Sequence, residues 1–203
     1  MSRIFLLRHA HSQANAKGIL AGRLDGIKLS KEGLKQREAL ERRFEGVSFD
    51  QVISSPILRC LETIEFFGFQ PEIVDEFQEV DYGNWTGRKT SSLMRNKAWR
   101  QIYKNPASVR FPGGETLPEV QTRALLGFDK YLKPKAKNIL ISTHADVVKV
   151  LILHALGTHI NNIDKLQINN ASISVLENDD NTPNDLRVIR VNDDSSEIRA
   201  LLK

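Results

Sequence analysis

The sequence contains a single cysteine, Cys60, among its 203 residues. One cysteine excludes a framework of disulfides within the chain and leaves no cysteine cluster that could hold a structural zinc ion. Long apolar runs are missing as well, because the longest, residues 147–156, is interrupted by Lys149 and His154 and is too short to span a bilayer. The apolar run near the N-terminus is too brief for the core of a signal peptide. We therefore expect a cytoplasmic, reducing location and no membrane association.

Charge of one sign does not dominate either, with 29 Lys and Arg against 25 Asp and Glu and a net charge of +4. That excess suits a small anionic ligand as well as it suits nucleic acid. The clustered basic and aromatic residues that a nucleic-acid binder needs are lacking, so no nucleic-acid partner is expected. Linkers, internal repeats and low-complexity tracts are absent from the sequence, which predicts a single domain over residues 1–203.

Short apolar runs alternate with helical patterns along the chain. Strands are predicted at residues 4–7, 51–54, 72–74, 139–141, 172–176 and 186–191, the last two as a hairpin around the turn-forming residues 179–184. Helical periodicity and end signals predict helices at residues 30–46, 56–68, 91–103, 117–132 and 147–156, with Asp146 as the N-cap of the last. Strands that alternate with helices predict an α/β fold, a three-layer sandwich with a mostly parallel central sheet flanked by helices.

Reactive side chains follow the predicted strands at their carboxyl ends, which is where open α/β sheets bind ligands. Arg8 and His9 follow the first strand, Arg59 lies one turn into the helix after the second, and His144 follows the strand at 139–141. A loop that places acids beside aromatic residues, 79–85, lies between them. We expect these groups to meet at one edge of the sheet.

Such a set of groups suits phosphoryl transfer without a metal ion. Two guanidinium groups can hold a phosphate in bidentate fashion, and a neutral imidazole can accept the phosphoryl group as nucleophile. A second imidazole, if protonated, can stabilise the phosphoryl oxygens, and a carboxylic acid can protonate the departing alkoxide. The residues alone leave four candidates for that acid: Asp75, Glu76, Glu79 and Asp81.

The motifs that carry these groups resemble those of the histidine phosphatase superfamily, which includes the cofactor-dependent phosphoglycerate mutases. The segment Leu-Arg-His-Ala-His-Ser-Gln-Ala-Asn at residues 7–15 resembles the family signature. Four further segments resemble its other motifs in the family's order, at residues 54–59, 79–87, 111–116 and 142–144. The resemblance implies a phosphoglycerate mutase-like fold and a phosphohistidine intermediate.

The resemblance also implies roles for individual residues. His9 would be the phosphorylated nucleophile and Glu79 the general acid. The residues implied to bind the phosphoryl group or the substrate are Arg8, Ser12, Asn15, Arg59 and His144. Alanine stands at Ala10 and Ala145, where the family usually has glycine, and Asp146 adds a carboxylate near the expected anion site.

Three functions remain open at this point, and a phosphatase that hydrolyses a small phosphorylated metabolite is favoured. A phosphoglycerate mutase, primed by 2,3-bisphosphoglycerate, is the second; mutases that resemble this chain carry Trp where Ala14 stands and a longer insertion than the 30 residues between Glu79 and Arg110. A non-catalytic module that binds phosphorylated ligands is the third. No cofactor and no metal are expected, since His9 and His11 lack a third ligand of comparable spacing. His11 is a candidate pocket-lining residue, and the protein is expected to be a monomer or a homodimer.

Overall fold

The computed structural model describes residues 2–68, 70–132, 135–179 and 182–201. Its strands are β1 (Ser2–Arg8), β2 (Gln51–Ser54), β3 (Glu72–Ile73), β4 (Asn138–Thr143), β5 (Ile173–Asp179) and β6 (Thr182–Asp193). Its helices are α1 (Gln13–Ala16), α2 (Lys31–Arg43), α3 (Leu58–Ile64), α4 (Thr90–Leu93), α5 (Lys97–Lys104), α6 (Leu117–Tyr131), α7 (Ala145–Ala155) and α8 (Ile198–Leu201). Short 3₁₀ turns lie in several of the connections.

The strands form one mixed sheet in the order β3-β2-β4-β1-β5-β6. The four strands from β3 to β1 run parallel, whereas β5 is antiparallel to β1 and pairs with β6 as a hairpin. The predicted parallel sheet and C-terminal hairpin are therefore confirmed, although residues 180 and 181 of the predicted turn lie outside the described residues.

The two faces of the sheet are covered by different helices. In β1, Ile4 and Leu6 pack into the core that includes buried residues of α6 and α7, whereas Phe5 and Leu7 pack into the core beneath α2, α3 and α8. Successive side chains of a strand point to opposite faces, so a continuous apolar run supplies both cores at once. This arrangement confirms the three-layer sandwich and leaves the strand ends free to carry a site.

Local sequence signals shift some helix boundaries away from the prediction. The predicted helix 91–103 is interrupted, because Asn96 accepts a hydrogen bond from the backbone of Ala98 and so caps a new helix, α5. α3 begins at Leu58, after Pro56 rather than at it, and a 3₁₀ turn ends at Gly68. Among the described residues, no helix is both long enough and apolar enough to cross a membrane.

The N-cap prediction for Asp146 is wrong. The N-cap residue of α7 is His144, and Asp146 lies inside the first turn, where its side chain accepts a hydrogen bond from the hydroxyl of Tyr82 at 2.7 Å. The cap falls earlier than expected because β4 passes directly into the helix with no intervening loop. The carboxylate is therefore turned toward a neighbouring loop and is available to the site described next.

Candidate active site

Parallel pairing of β1, β4 and β2 brings the chemistry to one edge of the sheet. Arg8, the last residue of β1, lies opposite Thr143, the last residue of β4. The two residues that follow these strand ends, His9 and His144, therefore stand side by side, with ring centroids 5.3 Å apart. Both histidines are buried. The prediction that the groups after these strand ends meet at one edge of the sheet is confirmed for His9 and His144.

Arg59 lies between the two histidines and is 1% exposed. Its Nε donates a hydrogen bond to His9 Nε2 at 3.1 Å, and its Nη2 donates to His144 Nδ1 at 3.1 Å and to the carbonyl oxygen of Gly22 at 2.9 Å. One guanidinium group thus touches both imidazoles. Since arginine can only donate, each of these two ring nitrogens must be an acceptor.

Two further guanidinium N–H groups have no hydrogen-bond partner among the described residues, although both are buried. They are Nη1 of Arg59 and Nε of Arg8. Arg8 Nη1 donates to the carbonyl oxygen of Ile168 at 2.5 Å, which fixes the rest of that side chain. Burial lowers the pKa of Arg8, against the attraction of Glu79 and Asp146. Buried cationic donors without partners point to an anionic ligand, because leaving such groups unpaired is costly.

His9 is held as a neutral imidazole whose Nε2 lone pair faces Arg59. Its Nε2 accepts from Arg59, so the ring proton lies on Nδ1, which donates to the carbonyl oxygen of Ala10 at 2.8 Å. Burial, followed by the charges of Arg59 and Arg8, lowers the pKa of His9 well below its usual value. The local backbone is fixed because Ala10 N donates to Thr63 and Asn170 donates to the His9 carbonyl. The arrangement presents Nε2 to the site.

His144 has the opposite tautomer. Its Nδ1 accepts from Arg59, so Nε2 carries the proton and donates to Ser55 Oγ at 2.9 Å. Burial and the charge of Arg59 lower its pKa well below the usual value, so His144 is neutral without a ligand. Cys60 Sγ lies 3.4 Å from the same Nε2, and burial raises the pKa of that thiol to about 12, which keeps it protonated.

Glu79 is a buried carboxyl group whose Oε2 lies 3.8 Å from His144 Nδ1. Burial, followed by the negative charge of Asp146, raises its pKa to about 7. A carboxylic acid that is still protonated near neutral pH can act as a general acid. The backbone carbonyl oxygen of Glu79 accepts hydrogen bonds from Arg23 at 2.9 Å and Arg123 at 3.1 Å, and these bonds anchor the loop.

The other acids of this loop are engaged elsewhere. Asp81 accepts a hydrogen bond from the backbone of Gly83 at 2.8 Å, and Glu76 lies 3.6 Å from Lys130. Asp75 accepts from Gln78 on the exposed surface. Of the four candidates that the sequence left open, Glu79 is therefore the one whose side chain contacts the paired histidines.

Ser12 and Asn15 lie beside the site but bond chiefly to each other. The Asn15 side-chain oxygen accepts from the backbone and the hydroxyl of Ser12, both at 2.9 Å, and together they cap α1. Asn170 donates to the same Asn15 oxygen at 3.4 Å and links the pair to His9. The hydroxyl and backbone N–H of Ser12 are therefore engaged in the turn that follows His9. The binding of phosphate by Ser12 and Asn15 stays a prediction.

His11 is bonded to α2 and the residue before it rather than to the paired histidines. Its Nδ1 lies 2.8 Å from Ser30 Oγ at the start of α2, and its backbone N–H donates to Gln36. Over the ranges that the structure describes, no three His, Cys, Asp or Glu side chains cluster so that they could hold a metal ion. His11 therefore belongs to the packing of the signature loop on α2.

Several supporting residues were not predicted from the sequence. Ser55 stands inside a recognised motif, and its hydrogen bond to His144 could have been suspected there. Thr63 lies four residues after Arg59, on the same helix face, and gave a weaker signal. Asn170 gave none, since its position beside His9 depends on β5 pairing with the edge of β1.

A family model described as the histidine phosphatase superfamily (branch 1) matches residues 4–193 of the chain. The chain is 29% identical over 184 residues to phosphoserine phosphatase 1 of Hydrogenobacter thermophilus, covering 87% of this chain and 86% of that one. It is 28% identical over 169 residues to a 2,3-bisphosphoglycerate-dependent phosphoglycerate mutase of Rhizobium etli, covering 74% and 78%.

Among solved structures, the fold is similar to that of a phosphoserine phosphatase mutant from Entamoeba histolytica, which was determined in complex with phosphoserine. The TM-score is 0.84 at 21% sequence identity, and the match covers 96% of this chain and 98% of the other. At that identity the likeness establishes the fold.

Proposed function

Because the chain belongs to the histidine phosphatase superfamily, we propose that it is a phosphatase that hydrolyses small phosphomonoesters through a phosphohistidine on His9. The observation that carries this proposal is the position of Arg59 between the two neutral imidazoles, with one N–H of Arg59 and one of Arg8 buried and unpaired among the described residues. Arg59 Nε lies 3.1 Å from His9 Nε2, and the charges of both arginines act on His9. A phosphoryl group at His9 Nε2 would meet the nucleophile and its counter-charges together.

The reaction has two steps. His9 Nε2 attacks phosphorus and the ester P–O bond breaks, while Glu79 gives its proton to the departing alkoxide. Arg8 and Arg59 hold the phosphoryl oxygens as their charge develops, and His144 lies beside them. The Glu79 carboxylate then takes a proton from water, whose oxygen attacks phosphorus, and the P–N bond breaks to release inorganic phosphate and free His9.

Two arginines supply the positive charge that a metal ion provides in other phosphoryl-transfer enzymes. We therefore propose that turnover needs no metal and no cofactor, with 2,3-bisphosphoglycerate as primer only if the chain were a mutase. The substrate is a small phosphorylated metabolite. The single-domain organisation of residues 1–203, the cytoplasmic location and the choice between monomer and homodimer stay predictions from the sequence.

A rapid-quench experiment tests the covalent step. With p-nitrophenyl phosphate and excess EDTA, we expect a burst of p-nitrophenol and a phosphoenzyme that is labile in acid and stable in base. His9→Ala should lose both the burst and turnover, by several orders of magnitude, whereas His154→Ala, at an exposed histidine of α7, should retain both.

An acid-stable phosphoenzyme would overturn the assignment of His9, and loss of rate in EDTA would overturn metal independence. A parallel assay with 3-phosphoglycerate, with and without 2,3-bisphosphoglycerate, tests the mutase. Transfer to the sugar acid faster than to water would establish it in place of the phosphatase.

A further inference from the structure

Asp146 places a second carboxylate against the loop that carries Glu79, and the reaction just described does not use it. It lies in the first turn of α7, two residues after His144, and its side chain is 25% exposed. The buried Tyr82 hydroxyl donates to its Oδ2 at 2.7 Å, so the carboxylate has a fixed orientation. The partial exposure leaves the carboxylate accessible to a ligand, and the hydrogen bond fixes its position.

The neighbours of Asp146 indicate which part of a substrate it would face. In an in-line displacement the leaving oxygen lies on the side of phosphorus opposite His9, so the proton donor Glu79 must adjoin the leaving oxygen. The hydrogen bond from Tyr82 holds Asp146 against the loop that carries Glu79, three residues earlier. Asp146 therefore lies on the Glu79 side of the site, which is the side of the departing alcohol.

The nearest cation offsets the charge of Asp146 only in part. Lys149 Nζ lies 3.6 Å from Asp146 Oδ1, which is beyond hydrogen-bond distance, and Asp164 feels the charges of both. The Asp146 carboxylate therefore keeps part of its negative charge beside Lys149. An anionic alcohol part would be repelled there, and a cationic one attracted.

We propose that Asp146, oriented by Tyr82, selects substrates by the charge of the alcohol part. It favours phosphomonoesters that carry an ammonium or a hydroxyl group near the ester oxygen, and it disfavours those that carry a carboxylate or a second phosphate there. This inference rests on the proposed phosphatase function and narrows its substrate class. It also makes the carboxylate of 3-phosphoglycerate unfavourable at this position.

Three substrates of equal length separate charge from size: phosphoethanolamine, 2-hydroxyethyl phosphate and phosphoglycolate carry a cation, a neutral group and an anion on the same two carbons. We expect kcat/KM to fall in that order for the native protein. In Asp146→Asn, the ratio of the first to the last should drop by about tenfold, as expected for removing attraction and repulsion by one partly solvated charge. Any change in the pKa of Glu79 slows the three alkyl esters alike and cancels in the ratio.

Two further variants keep the test independent of one substitution. Lys149→Gln leaves Asp146 unopposed and should raise the same ratio, whereas Asp164→Asn removes an equal charge nearby and should change it by less than about twofold. An unchanged ratio in Asp146→Asn, or equal shifts in the Asp146 and Asp164 variants, would overturn the proposal. The thermal midpoint of each variant shows whether it is folded.

Failure of this inference is distinguishable from failure of the proposed function. If no phosphoenzyme forms and neither p-nitrophenyl phosphate nor any of the three esters is hydrolysed, the phosphatase proposal fails. If all are hydrolysed with a ratio that does not depend on Asp146, the phosphatase proposal stands and the assignment of Asp146 is wrong.

Discussion

At Glu79 and His9, burial acts on two kinds of titratable group with opposite results. Burial disfavours whichever form carries charge, so the pKa of Glu79 rises to about 7 while that of His9 falls. The acid thereby keeps its proton near neutral pH and the base remains without one. A proton donor and an unprotonated nucleophile can then coexist in one pocket, as the proposed two-step reaction requires.

The proposed role of Glu79 as proton donor predicts a dependence on the leaving group. Glu79→Gln should slow the release of alkyl alcohols far more than that of p-nitrophenol, whose anion is already stabilised. General acid catalysis contributes roughly 10²- to 10⁴-fold, so the two penalties, measured as single-turnover phosphorylation rates, should differ by at least about tenfold.

The pH profile of the same step supplies a check on Glu79. With alkyl esters the native rate should fall as the pH rises through about 7, where Glu79 loses its proton, and this limb should vanish in Glu79→Gln. Equal penalties for both leaving groups would mean that Glu79 only shapes the pocket. Glu76→Gln, at the partly buried acid beside Lys130, serves as the matched control and should leave both rates unchanged.

The main elements of the fold could be predicted from the sequence because the apolar runs of β1, β2 and β4 match their burial. Residues 4–7 form a fully buried run in β1, and the strand ends at residues 8 and 143 carry the expected reactive groups. The antiparallel placement of β5 beside β1 could not be predicted, because pairing between distant strands leaves no local pattern. For the same reason the contact of Asn170 with His9 was missed.

Local hydrogen bonds account for the remaining differences at the level of single elements. Asn96 interrupts a pattern that is apolar enough for one helix, since its side chain accepts a hydrogen bond from the Ala98 amide in the first turn of a new one. Asp146 is a favourable N-cap residue type, yet Tyr82 binds its carboxylate from another loop. Residue preferences for caps are weak enough for one tertiary hydrogen bond to override them.

Helix α2 supports the signature loop through close contact at Gly33. A Cβ atom at this position would lie 2.0 Å from the carbonyl oxygen of His11, which is backbone and cannot move aside cheaply. Gly33→Ala should therefore destabilise the fold by about 1–3 kcal/mol, although alanine is intrinsically about 1 kcal/mol better than glycine within a helix. Urea unfolding measures the change in the free energy of unfolding.

Lys35→Ala, at an exposed position of the same helix, is the control for Gly33 and should have little effect on stability. We also expect Gly33→Ala to lower activity, because the carbonyl that it displaces lies two residues from His9. A neutral or stabilising effect of Gly33→Ala would show that α2 does not press on the loop.

Considered over the whole molecule, the buried titratable groups make stability depend on pH. His9 and His144 stay neutral when folded, because their pKa values are lowered, and take up protons when unfolded below about pH 6.5. Each therefore contributes stability that is lost as the pH falls. Glu79 has the opposite effect on stability at pH values between its ordinary pKa and its folded pKa of about 7, since only the folded state keeps the proton there.

Between about pH 5 and 6, each of the two histidines gains about one proton on unfolding and Glu79 loses about one. Unfolding therefore takes up about one proton net at these three groups. The free energy of unfolding should then fall by about 1.4 kcal/mol per pH unit as the pH is lowered. In His9→Gln this slope should nearly disappear, whereas His154→Gln should retain it. Urea titrations at pH 5 and 6 measure both slopes, and an unchanged slope in His9→Gln would refute the assignment of His9 as a neutral buried group.

The unpaired guanidinium donors in the pocket predict that oxyanions stabilise the whole fold. Inorganic phosphate, the expected product, would pair with Arg59 Nη1 and Arg8 Nε in the folded state alone. A ligand at 100 times its Kd stabilises by about 2.7 kcal/mol, which for a chain of this size raises Tm by roughly 5–10 °C.

Arg59→Met should abolish the rise in Tm, because phosphate loses the donor that lies between the histidines, whereas Arg37→Met, at a surface ion pair with Glu65, should retain it. The measurement compares phosphate with sodium chloride at equal ionic strength, so that general screening is subtracted. Without phosphate, the Arg59 variant should lose at most about 1–2 kcal/mol of stability relative to the native protein. The buried cation of Arg59 costs desolvation, and its three hydrogen bonds offset that cost only in part. An equal phosphate-induced shift in both variants would place the anion outside the pocket, and with it the substrate phosphoryl group.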